Sequence, residues 1–471
     1  MKQTVFIAVA MLIALTIGFC QQPWYTQGNF APAKQMAITL KNELGFDRKD
    51  VPIAIPCSQF SLADFQDFDV TIVDSAGEPI PQPGIQQIGN FGVYEIRGEH
   101  DGRMIFHQLD DLDKDGIWDE LFFITDIKAK ATITIYFYIG YNNRGWNPYT
   151  TAATMGSYVR HIVPFWEKEY VGWKLWYPAD CDVYGKRKPQ LITSKLSLEN
   201  LDGYGVPNDM GSDIMAVGQS LGGGGVVVFD DAKDATKVSR PRFTPAKIKA
   251  GVKTPFNVGQ LSDTPYSFDV VVNGPLRSMV KVRTFNWQSE NGFYELEQTC
   301  TAYTRQNYST CQVQFRQFKP NSKMAYFGCG IKKHPNQKTF YKNNNIVVTG
   351  GPEGIVNPDD ISAGRKQTVD YISTACIVKK QYQPKFETVK SVTIDNYAFR
   401  IKPTKNLRFE YLLGAAWSEG PPFKTNEDFK NYIIRTEQEY ESPLTVRLSR
   451  DAMLASKLPN CWRLNCQIAG V

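Results

Sequence analysis

The sequence predicts a mainly β protein, organised as a large antiparallel β-sandwich with a few short helices. Apolar and polar residues alternate in many short segments, as in strands that bury one face; examples are residues 131–139, 268–272, 278–283 and 311–316. Glycine, asparagine and proline separate these segments, and many short strands at short intervals favour a sandwich over alternating strands and helices. Helical patterns are confined to residues 33–43 and 426–441.

The chain has 471 residues, of which 42% are hydrophobic and 13% aromatic, so it is long enough for one very large or two ordinary domains. We expect an N-terminal β region at residues 51–141 that carries an acidic loop, a large sandwich at 150–417 and a C-terminal extension at 418–471. The polar, turn-rich segment 142–149 marks the boundary between the first two. A net charge of +5 on scattered lysines does not favour nucleic-acid binding.

The N-terminus is typical of a secretory signal peptide. Lys2 precedes the apolar run 5–19, and polar glutamines follow directly after Cys20. The run is short for a membrane span and no later stretch is long and apolar enough, so we expect cleavage near Cys20, no stable membrane insertion, and a secreted or periplasmic protein. Phe19 disfavours a lipoprotein signal, which usually carries a small residue before the cysteine, although lipidation of Cys20 stays open.

Cysteine usage fits an oxidising compartment. Removal of Cys20 from the nine cysteines leaves an even set of eight, which in an exported chain allows disulfides. The favoured pairs are Cys461 with Cys466, which would close a small loop, and Cys300 with Cys311 across a predicted hairpin, although sequence alone does not determine pairing. The chain has no Cys-x-x-Cys motif, so redox chemistry and a thiolate zinc site are disfavoured.

An acidic loop predicts a calcium site. Its carboxylates occupy loop positions one, three, five and nine around Gly116, and they belong to Asp111, Asp113, Asp115 and Asp119. Calcium takes about six to eight oxygen ligands, and a glycine at position six permits the sharp turn. The loop is not an EF-hand, because Phe122 stands at position twelve and the flanks predict strands. The alternative is a solvated acidic turn, and a bound Ca²⁺ would be structural.

Carboxylates, lysines and aromatic residues concentrate in residues 161–186. In one extended strand Glu167, Glu169, Trp173 and Leu175 would project on one face, so two carboxylates and an aromatic ring would share a wall. Such a wall suits a sugar cleft, with tryptophan as the apolar platform. The alternative is a sheet with ordinary surface charges over a tryptophan core composed of Trp166, Trp173 and Trp176.

A series of motifs carries a family resemblance. Besides the acidic loop and segment 161–186, the series comprises Tyr204 and the segments 208–225, 274–278 and 328–334. In this order, over about residues 51–417, the chain resembles the bacterial family called domain of unknown function 4861, which includes an ulvan oligosaccharide dehydratase. The chain departs from the family pattern at Lys168, where serine is common, and at Lys174, where arginine is common.

The resemblance implies a sandwich of the galactose-mutarotase type and lyase or dehydratase chemistry on anionic, uronic-acid-containing oligosaccharides. Elimination requires a base, a positive group that stabilises the developing charge, and an acid for the leaving oxygen. The predicted catalytic residues are His161, Glu167, Glu169, Tyr170, Lys174 and His334, and the predicted substrate-binding residues are Trp166, Trp173, Lys186, Tyr204, Asp209 and Asp213. His161 is the first choice for proton transfer and His334 the second, although a structural histidine is an equal alternative for each.

Two other functions fit the sequence. A glycoside hydrolase would use Glu167 and Glu169, but residues two apart on one strand point the same way, whereas hydrolase carboxylates flank the scissile bond. The second alternative is a non-catalytic sugar-binding protein in which calcium is a structural ion. The glycines at 222–225 precede a strand rather than a helix, so they predict a close-packed turn and neither a phosphate loop nor a serine-hydrolase elbow.

Overall fold

A computed structural model describes residues 31–60, 93–98, 102–141, 148–158, 161–176, 180–193, 209–217, 220–234, 237–241, 265–289, 291–355, 367–390, 395–449 and 453–454. These ranges are dominated by antiparallel strands, which confirms the predicted fold class. The described residues include no helix that combines the length and the apolar character needed to cross a bilayer.

The strands in the first half of the chain are β1 (Ala31–Lys41), β2 (Arg48–Pro56), β3 (Val93–Gly98), β4 (Met104–Ile105), β5 (His107–Asp110), β6 (Glu120–Ile127), β7 (Thr132–Tyr141), β8 (Thr151–Tyr158), β9 (His161–Lys168), β10 (Val171–Trp176), β11 (Asp180–Lys186), β12 (Gly211–Asp213), β13 (Gly225–Phe229) and β14 (Val238–Ser239). Those in the second half are β15 (Tyr266–Asn273), β16 (Arg277–Ser289), β17 (Gly292–Tyr303), β18 (Tyr308–Pro320), β19 (Tyr326–Lys332), β20 (Thr339–Lys342), β21 (Ile346–Ile355), β22 (Gln367–Val378), β23 (Lys385–Lys390), β24 (Asp395–Ile401), β25 (Arg408–Trp417), β26 (Thr445–Leu448) and β27 (Met453–Leu454). The helix α1 spans Asn426–Glu441, and 3-10 turns span Cys57–Gln59 and Lys380–Tyr382.

The chain divides into two compact units. The first comprises the described parts of residues 1–107, 123–146 and 444–471, and the second those of 108–122 and 147–443. The break after residue 146 lies within the turn-rich segment expected at the boundary. The described part of the expected C-terminal extension is instead divided between the units, because α1 packs on a sheet of the second unit and β26 pairs with β1 of the first.

In the first unit, strands β26, β1, β7, β3 and β4 form a sheet in that order, with β27 also paired to β1. Residues 33–43 were predicted to be helical, and that prediction is wrong. Met36, Ile38 and Leu40 alternate as buried residues, the period of a strand, and β1 pairs along its length with β7, so that Ile38 lies opposite Ile135. A short apolar run does not distinguish the two structures until its partner is known. Strands β2, β6 and β5 form a separate three-stranded sheet, which is not confined to this unit.

The second unit contains a two-layered sandwich. One layer is an eight-stranded sheet in the order β15-β16-β17-β18-β25-β22-β21-β20. The other consists of two five-stranded sheets, β12-β11-β10-β9-β8 and β14-β13-β19-β24-β23, which meet at a bridge between Cys181 and Gly222. One hydrophobic core draws residues from all three sheets, and the rings of Phe315 and Phe327 stack across it with centroids 4.6 Å apart.

The glycine-rich turn at 222–225 is the close-packed turn that the sequence predicts. Gly222 has a φ of +58°, and a Cβ there would lie 2.0 Å from the carbonyl oxygen of Cys181. The N–H of Gly223 donates to that same oxygen at 2.7 Å. Only glycine fits this approach without strain, so the turn joins the two five-stranded sheets through backbone contact.

Helix α1 confirms the helical prediction for 426–441. It begins with a capping box, in which the Thr425 hydroxyl accepts from the N–H of Asp428 and the Asp428 carboxylate accepts from the N–H of Thr425. Phe429 and Ile433 are fully buried against the eight-stranded sheet. The helix therefore covers the outer face of that sheet at β21, β22 and β25.

Candidate functional site

The segment richest in functional residue types folds as a hairpin, not as one strand. Strand β10 runs back along β9, which places Trp166 opposite Trp173 and Glu167 opposite Gly172. The reversal at Glu169 and Tyr170 resets the alternation of side chains. Glu167 therefore faces away from Trp173, and the predicted wall shared by two glutamates, Trp173 and Leu175 is wrong.

Trp166 and Trp173 belong to the core. Both indoles are fully buried, their ring centroids are 6.2 Å apart, and Trp166 Nε1 donates to Ser309 Oγ at 2.8 Å. Both rings lie in the apolar core between the two layers, so their predicted role as stacking platforms is wrong. The alternative tryptophan core is confirmed for these two residues, whereas the side chain of Trp176 lies outside the described residues.

The opposite side of this five-stranded sheet carries a buried set of polar residues, which we call the polar face: Glu167, Lys174, Asp182, Tyr184 and Lys186. The Lys174 ammonium lies 2.9 Å from the Asp182 carboxylate and donates to the Tyr184 hydroxyl, also at 2.9 Å. Strand alternation on β11 places Asp182, Tyr184 and Lys186 on one side, since Cys181 and Val183 lie in the core. A phenol is thus held against an ammonium whose position is fixed by a carboxylate.

Glu167 and Lys186 form a second ion pair on the polar face. Glu167 also accepts from the N–H groups of Ile192 and Thr193, each at 3.0 Å. Lys186 also donates to the carbonyl oxygens of Lys168 and Gln190, so each of its three protons has an acceptor. Burial lowers the pKa of Lys186, and the attraction of Glu167 only partly offsets this effect. The prediction that Lys186 binds the substrate is therefore wrong, because all three of its donors are already used.

Glu169 and Tyr170 occupy the turn of the hairpin and point to other partners. The Glu169 carboxylate accepts from Thr304 Oγ1 at 2.8 Å and from the N–H of Arg305 at 3.1 Å. The ring of Tyr170 lies 5.2 Å from Lys168 Nζ. Glu167 and Glu169 thus contact different groups of residues. They are not placed to flank one glycosidic bond, as the two carboxylates of a glycoside hydrolase are.

The two preferred histidines are not brought together. His161 is the first residue of β9, opposite Tyr158, and its side chain lies outside the described residues. His334 follows β19 of the other five-stranded sheet, where Nε2 lies 3.2 Å from the Glu353 carboxylate and Nδ1 accepts from the N–H of Asn336 at 3.1 Å. Both ring nitrogens of this buried histidine face protein groups, so the structure supports the structural alternative for His334 and corrects its catalytic assignment.

Of the three remaining predicted binding residues, one is paired with a strand residue of the polar face. Asp213 of β12 lies opposite Tyr184 and is buried, and its carboxylate accepts from the N–H of Met215 at 3.1 Å. Asp209 is exposed in a bend before that strand. Tyr204 lies outside the described residues.

The acidic loop brings together three of its four predicted ligands. Carboxylate oxygens of Asp111, Asp113 and Asp115 lie within 4.8 Å of one another, and Gly116 adopts a φ of +90°. Asp119 is not in this group, because its Oδ2 accepts from the N–H of Leu112 at 2.6 Å and so closes the loop. A set of hard oxygen donors at this spacing fits Ca²⁺.

A buried arginine supports the base of this loop. Arg277, at the start of β16, bonds Asp110 at 2.5 Å and Glu120 at 2.6 Å, and its guanidinium lies 4.6 Å from the Phe122 ring. Burial raises the pKa of Asp110, and Arg277 opposes that shift. The loop is thus anchored to the eight-stranded sheet through charged groups on both of its flanks.

Sequence reasoning missed Asp182, Tyr184, Glu353 and Arg277. For the first two the signal was present, because polar residues at 180, 182, 184 and 186 alternate with Cys181, Val183 and Gly185. That alternation predicts one polar face on a strand with a buried opposite face. For Glu353 and Arg277 no local pattern was available, since their partners lie far along the chain.

Comparison with known proteins gives one family. The sequence matches the family described as "Domain of unknown function (DUF4861)" over residues 40–446, which confirms the predicted resemblance. No curated protein matches the chain.

Solved structures give only distant similarity. A protein in glycosyl hydrolase family 38 from Enterococcus faecalis has 9% sequence identity and a TM-score of 0.42, with 88% of this chain and 48% of that chain covered. An alpha-mannosidase from Enterococcus faecalis V583 gives the same identity, TM-score and coverage of this chain, with 46% of that chain covered. This chain thus spans about half the length of those proteins, and similarity this distant identifies neither activity nor substrate.

Proposed function

This chain belongs to the DUF4861 family, and from that premise we propose that it is an exported carbohydrate-active enzyme that acts on uronic-acid-containing oligosaccharides by lyase or dehydratase chemistry. The observation that supports the chemistry best is the contact of the Lys174 ammonium with both the Asp182 carboxylate and the Tyr184 hydroxyl. Buried charged groups are costly unless they are paired, and catalytic sites are where such groups concentrate.

The arrangement supplies the parts that elimination requires. A base removes the proton from the carbon next to the sugar carboxylate, the electron pair forms a carbon–carbon double bond, and the carbon–oxygen bond at the next carbon breaks. Tyr184 is our choice for the proton-transfer group, because the ammonium that donates to its oxygen stabilises the phenolate, and the phenolate is the form that accepts the proton from carbon and so becomes the hydroxyl. The same hydroxyl then returns the proton to the departing oxygen, and Asp182 keeps Lys174 in place.

Glu167 and Lys186 have a positioning role in this proposal. Their ion pair ties β9 and β11 to residues 190–193, and this fixes the strands that carry Lys174 and Tyr184. His161 remains the alternative base. The non-catalytic sugar-binding protein remains the second class of function, and it predicts binding without turnover.

The acidic loop is proposed as a structural calcium site. Asp111, Asp113 and Asp115 would supply carboxylate oxygens, and backbone N–H groups hold those carboxylates in place, as between Gly116 and Asp111 at 2.9 Å. Calcium bound there would offset the repulsion among the carboxylates. Its role is to hold the loop, and no catalytic step depends on it.

The decisive experiment incubates the protein with a panel of uronate oligosaccharides and follows product mass and ultraviolet absorbance. Loss of one water marks dehydration, a new unsaturated end without added water marks elimination, and gain of water marks hydrolysis. We expect one of the first two outcomes with at least one substrate. Gain of water would support the hydrolase, and retained binding without any product would support the non-catalytic alternative.

A further inference from the structure

Four cysteines of the sandwich core form two adjacent pairs. Cys300 of β17 and Cys311 of β18 are direct cross-strand partners, with their sulfur atoms 3.2 Å apart. Cys329 of β19 and Cys376 of β22 have their sulfur atoms 4.0 Å apart. All four side chains lie within the one hydrophobic core. The first pair joins neighbouring strands of one sheet, whereas the second joins the two layers of the sandwich.

The second pair is placed where a cross-link would have the larger structural effect. β19 lies in the centre of a five-stranded sheet and β22 in the interior of the eight-stranded sheet. The two cysteines are 47 residues apart in the chain. A bond between them would close a long loop of the unfolded chain and would fix the spacing of the two layers, and cross-links over longer loops restrict the unfolded state more strongly.

The folded protein protects these thiols from reagents. Burial raises the pKa of the Cys329 thiol well above its usual value, and the neighbouring Cys376 adds to the shift. A thiol must be deprotonated and reachable to attack a disulfide. Cys329 and Cys376 are both fully buried, so any bond between them has to form before the two layers close over the core.

We propose that Cys329 and Cys376 form a disulfide that clamps the two layers of the sandwich, made while the chain folds in an oxidising compartment. The proposal rests on the export of the chain, which is part of the proposed function. In the reaction the two thiols lose two protons and two electrons, and the sulfur–sulfur bond forms. The oxidant is a small-molecule or protein disulfide, such as oxidised glutathione, which is reduced to two thiols.

The geometry requires only a small adjustment. Bond formation brings the sulfur atoms from 4.0 Å to about 2.05 Å. Rotation of two cysteine side chains and a slight approach of the layers would cover this difference. Gly328 and Gly330 flank Cys329, and a side chain at Gly330 would meet the carbonyl of Tyr397 at 2.2 Å, so β19 is already packed tightly on β24 and holds Cys329 firmly toward the core.

The test is refolding of the full chain with a mixture of reduced and oxidised glutathione, followed by alkylation in denaturant and peptide mapping without reductant. We expect a linked peptide pair that contains Cys329 and Cys376. Complete alkylation of these two residues, or a bond from either one to a different cysteine such as Cys311, would overturn the proposal.

Thermal unfolding supplies a second measurement. Oxidised wild type should melt on the order of 5 °C above the reduced protein, and Cys329→Ala with Cys376→Ala should remove most of that difference. Cys181→Ala is the matched control, because Cys181 is a buried core cysteine outside both pairs and should leave the oxidation-dependent shift intact. Neither measurement uses turnover, so a missing disulfide and a missing uronate activity are separate results.

Discussion

At the scale of single residues, the chemistry depends on which side of a strand each side chain occupies. Lys174 and Trp173 are neighbours in sequence, yet the ammonium meets Asp182 and Tyr184 while the indole is buried in the core. The sequence identified Lys174 as a functional candidate and gave its neighbour a similar role. Only the pairing of β10 with β9 and β11 separated them.

The role of Tyr184 can be tested by removing its hydroxyl oxygen. Tyr184→Phe keeps the ring but removes the hydroxyl that accepts from Lys174, and we expect turnover to fall by about a hundredfold or more. The melting temperature should change little, because Lys174 retains Asp182. Steady-state kinetics on the responsive uronate substrate measures the effect, and Tyr149→Phe, at an exposed tyrosine, should keep wild-type rates. Wild-type rates in Tyr184→Phe would transfer the proton-transfer role to another residue.

The core assignment of Trp166 makes a different prediction. Trp166→Ala removes a fully buried indole and should lower the free energy of unfolding by about 3–5 kcal/mol, since both burial and packing are lost. Denaturant unfolding measures this cost. Tyr149→Ala is the exposed aromatic control and should change stability by less than about 0.5 kcal/mol. A stable Trp166→Ala protein with weakened sugar binding would restore the discarded role as a platform.

At the scale of secondary-structure elements, the contacts between strands and turns decide how the sheets are joined. The turn at 222–225 brings β13 beside β11, and Lys332 of β19 donates its backbone N–H to Gly222 at 2.8 Å. The side chain of Lys332 then reaches Glu353 of β21, which also faces His334. A chain of short contacts thus connects the two layers at this end of the sandwich.

The glycine turn can be tested by adding one methyl group. Gly222→Ala places a Cβ against the Cys181 carbonyl at a left-handed backbone position, and we expect a loss of more than about 2 kcal/mol in unfolding free energy. Gly45→Ala is the control, because a Cβ there meets no atom within 4 Å and no positive φ is present. Equal stability of the two variants in chemical denaturation would contradict the close approach.

The contacts of Glu353 predict a specific response to acid. Burial by itself would raise its pKa, but the neighbouring side chains of His334 and Lys332 outweigh burial and hold the pKa below the ordinary 4.5. A carboxyl group with a depressed folded-state pKa stabilises the protein above about pH 4.5, and this stabilisation is lost as the pH falls through the folded-state value.

Melting temperature measured from pH 7 to pH 3 provides the test. Wild type should lose stability below about pH 4.5, and Glu353→Gln should be less stable at pH 7 and show a shallower loss in acid. Glu387→Gln, at a residue whose carboxylate is half-exposed beside Arg400, should follow the wild-type profile. A Glu353→Gln profile parallel to that of wild type would show that this carboxyl group does not titrate as described.

At the scale of the whole molecule, the second unit combines one extensive hydrophobic core with charged groups placed at its margins and on its polar face. The core residues come from segments that span Ala153 to Trp417, so nearly the whole second unit must fold to complete it. The acidic loop belongs to this unit although it lies in the sequence between strands of the first.

Calcium dependence is the corresponding prediction. Because Asp111, Asp113 and Asp115 converge, a chelator should lower the melting temperature. Asp113→Ala should already have this lower melting temperature without a chelator, and a chelator should change it little. Activity should fall only as far as the folded fraction falls. Asp370→Ala, at an exposed aspartate elsewhere in the unit, should keep the full response. Calcium-free protein with an unchanged melting temperature would refute the site.

Several features were predictable because they depend on neighbours in the sequence. Alternation over short runs gave the fold class, the helical pattern of residues 426–441 gave α1, and the spacing of aspartates around Gly116 predicted four converging carboxylates, of which three converge. The ordered motifs gave the family that residues 40–446 match.

The tertiary structure decided the rest, and the physical reason is the same in each case. The conformation of residues 33–43, strand rather than helix, depended on β7. That strand lies nearly a hundred residues away and forms hydrogen bonds with β1. The side of the sheet on which Glu167 and Trp173 lie depended on the position of the turn between β9 and β10. The partners of Lys174, Lys186 and His334 are set by strand pairing and by contacts between layers, and local sequence carries no information about which distant segment will be the neighbour.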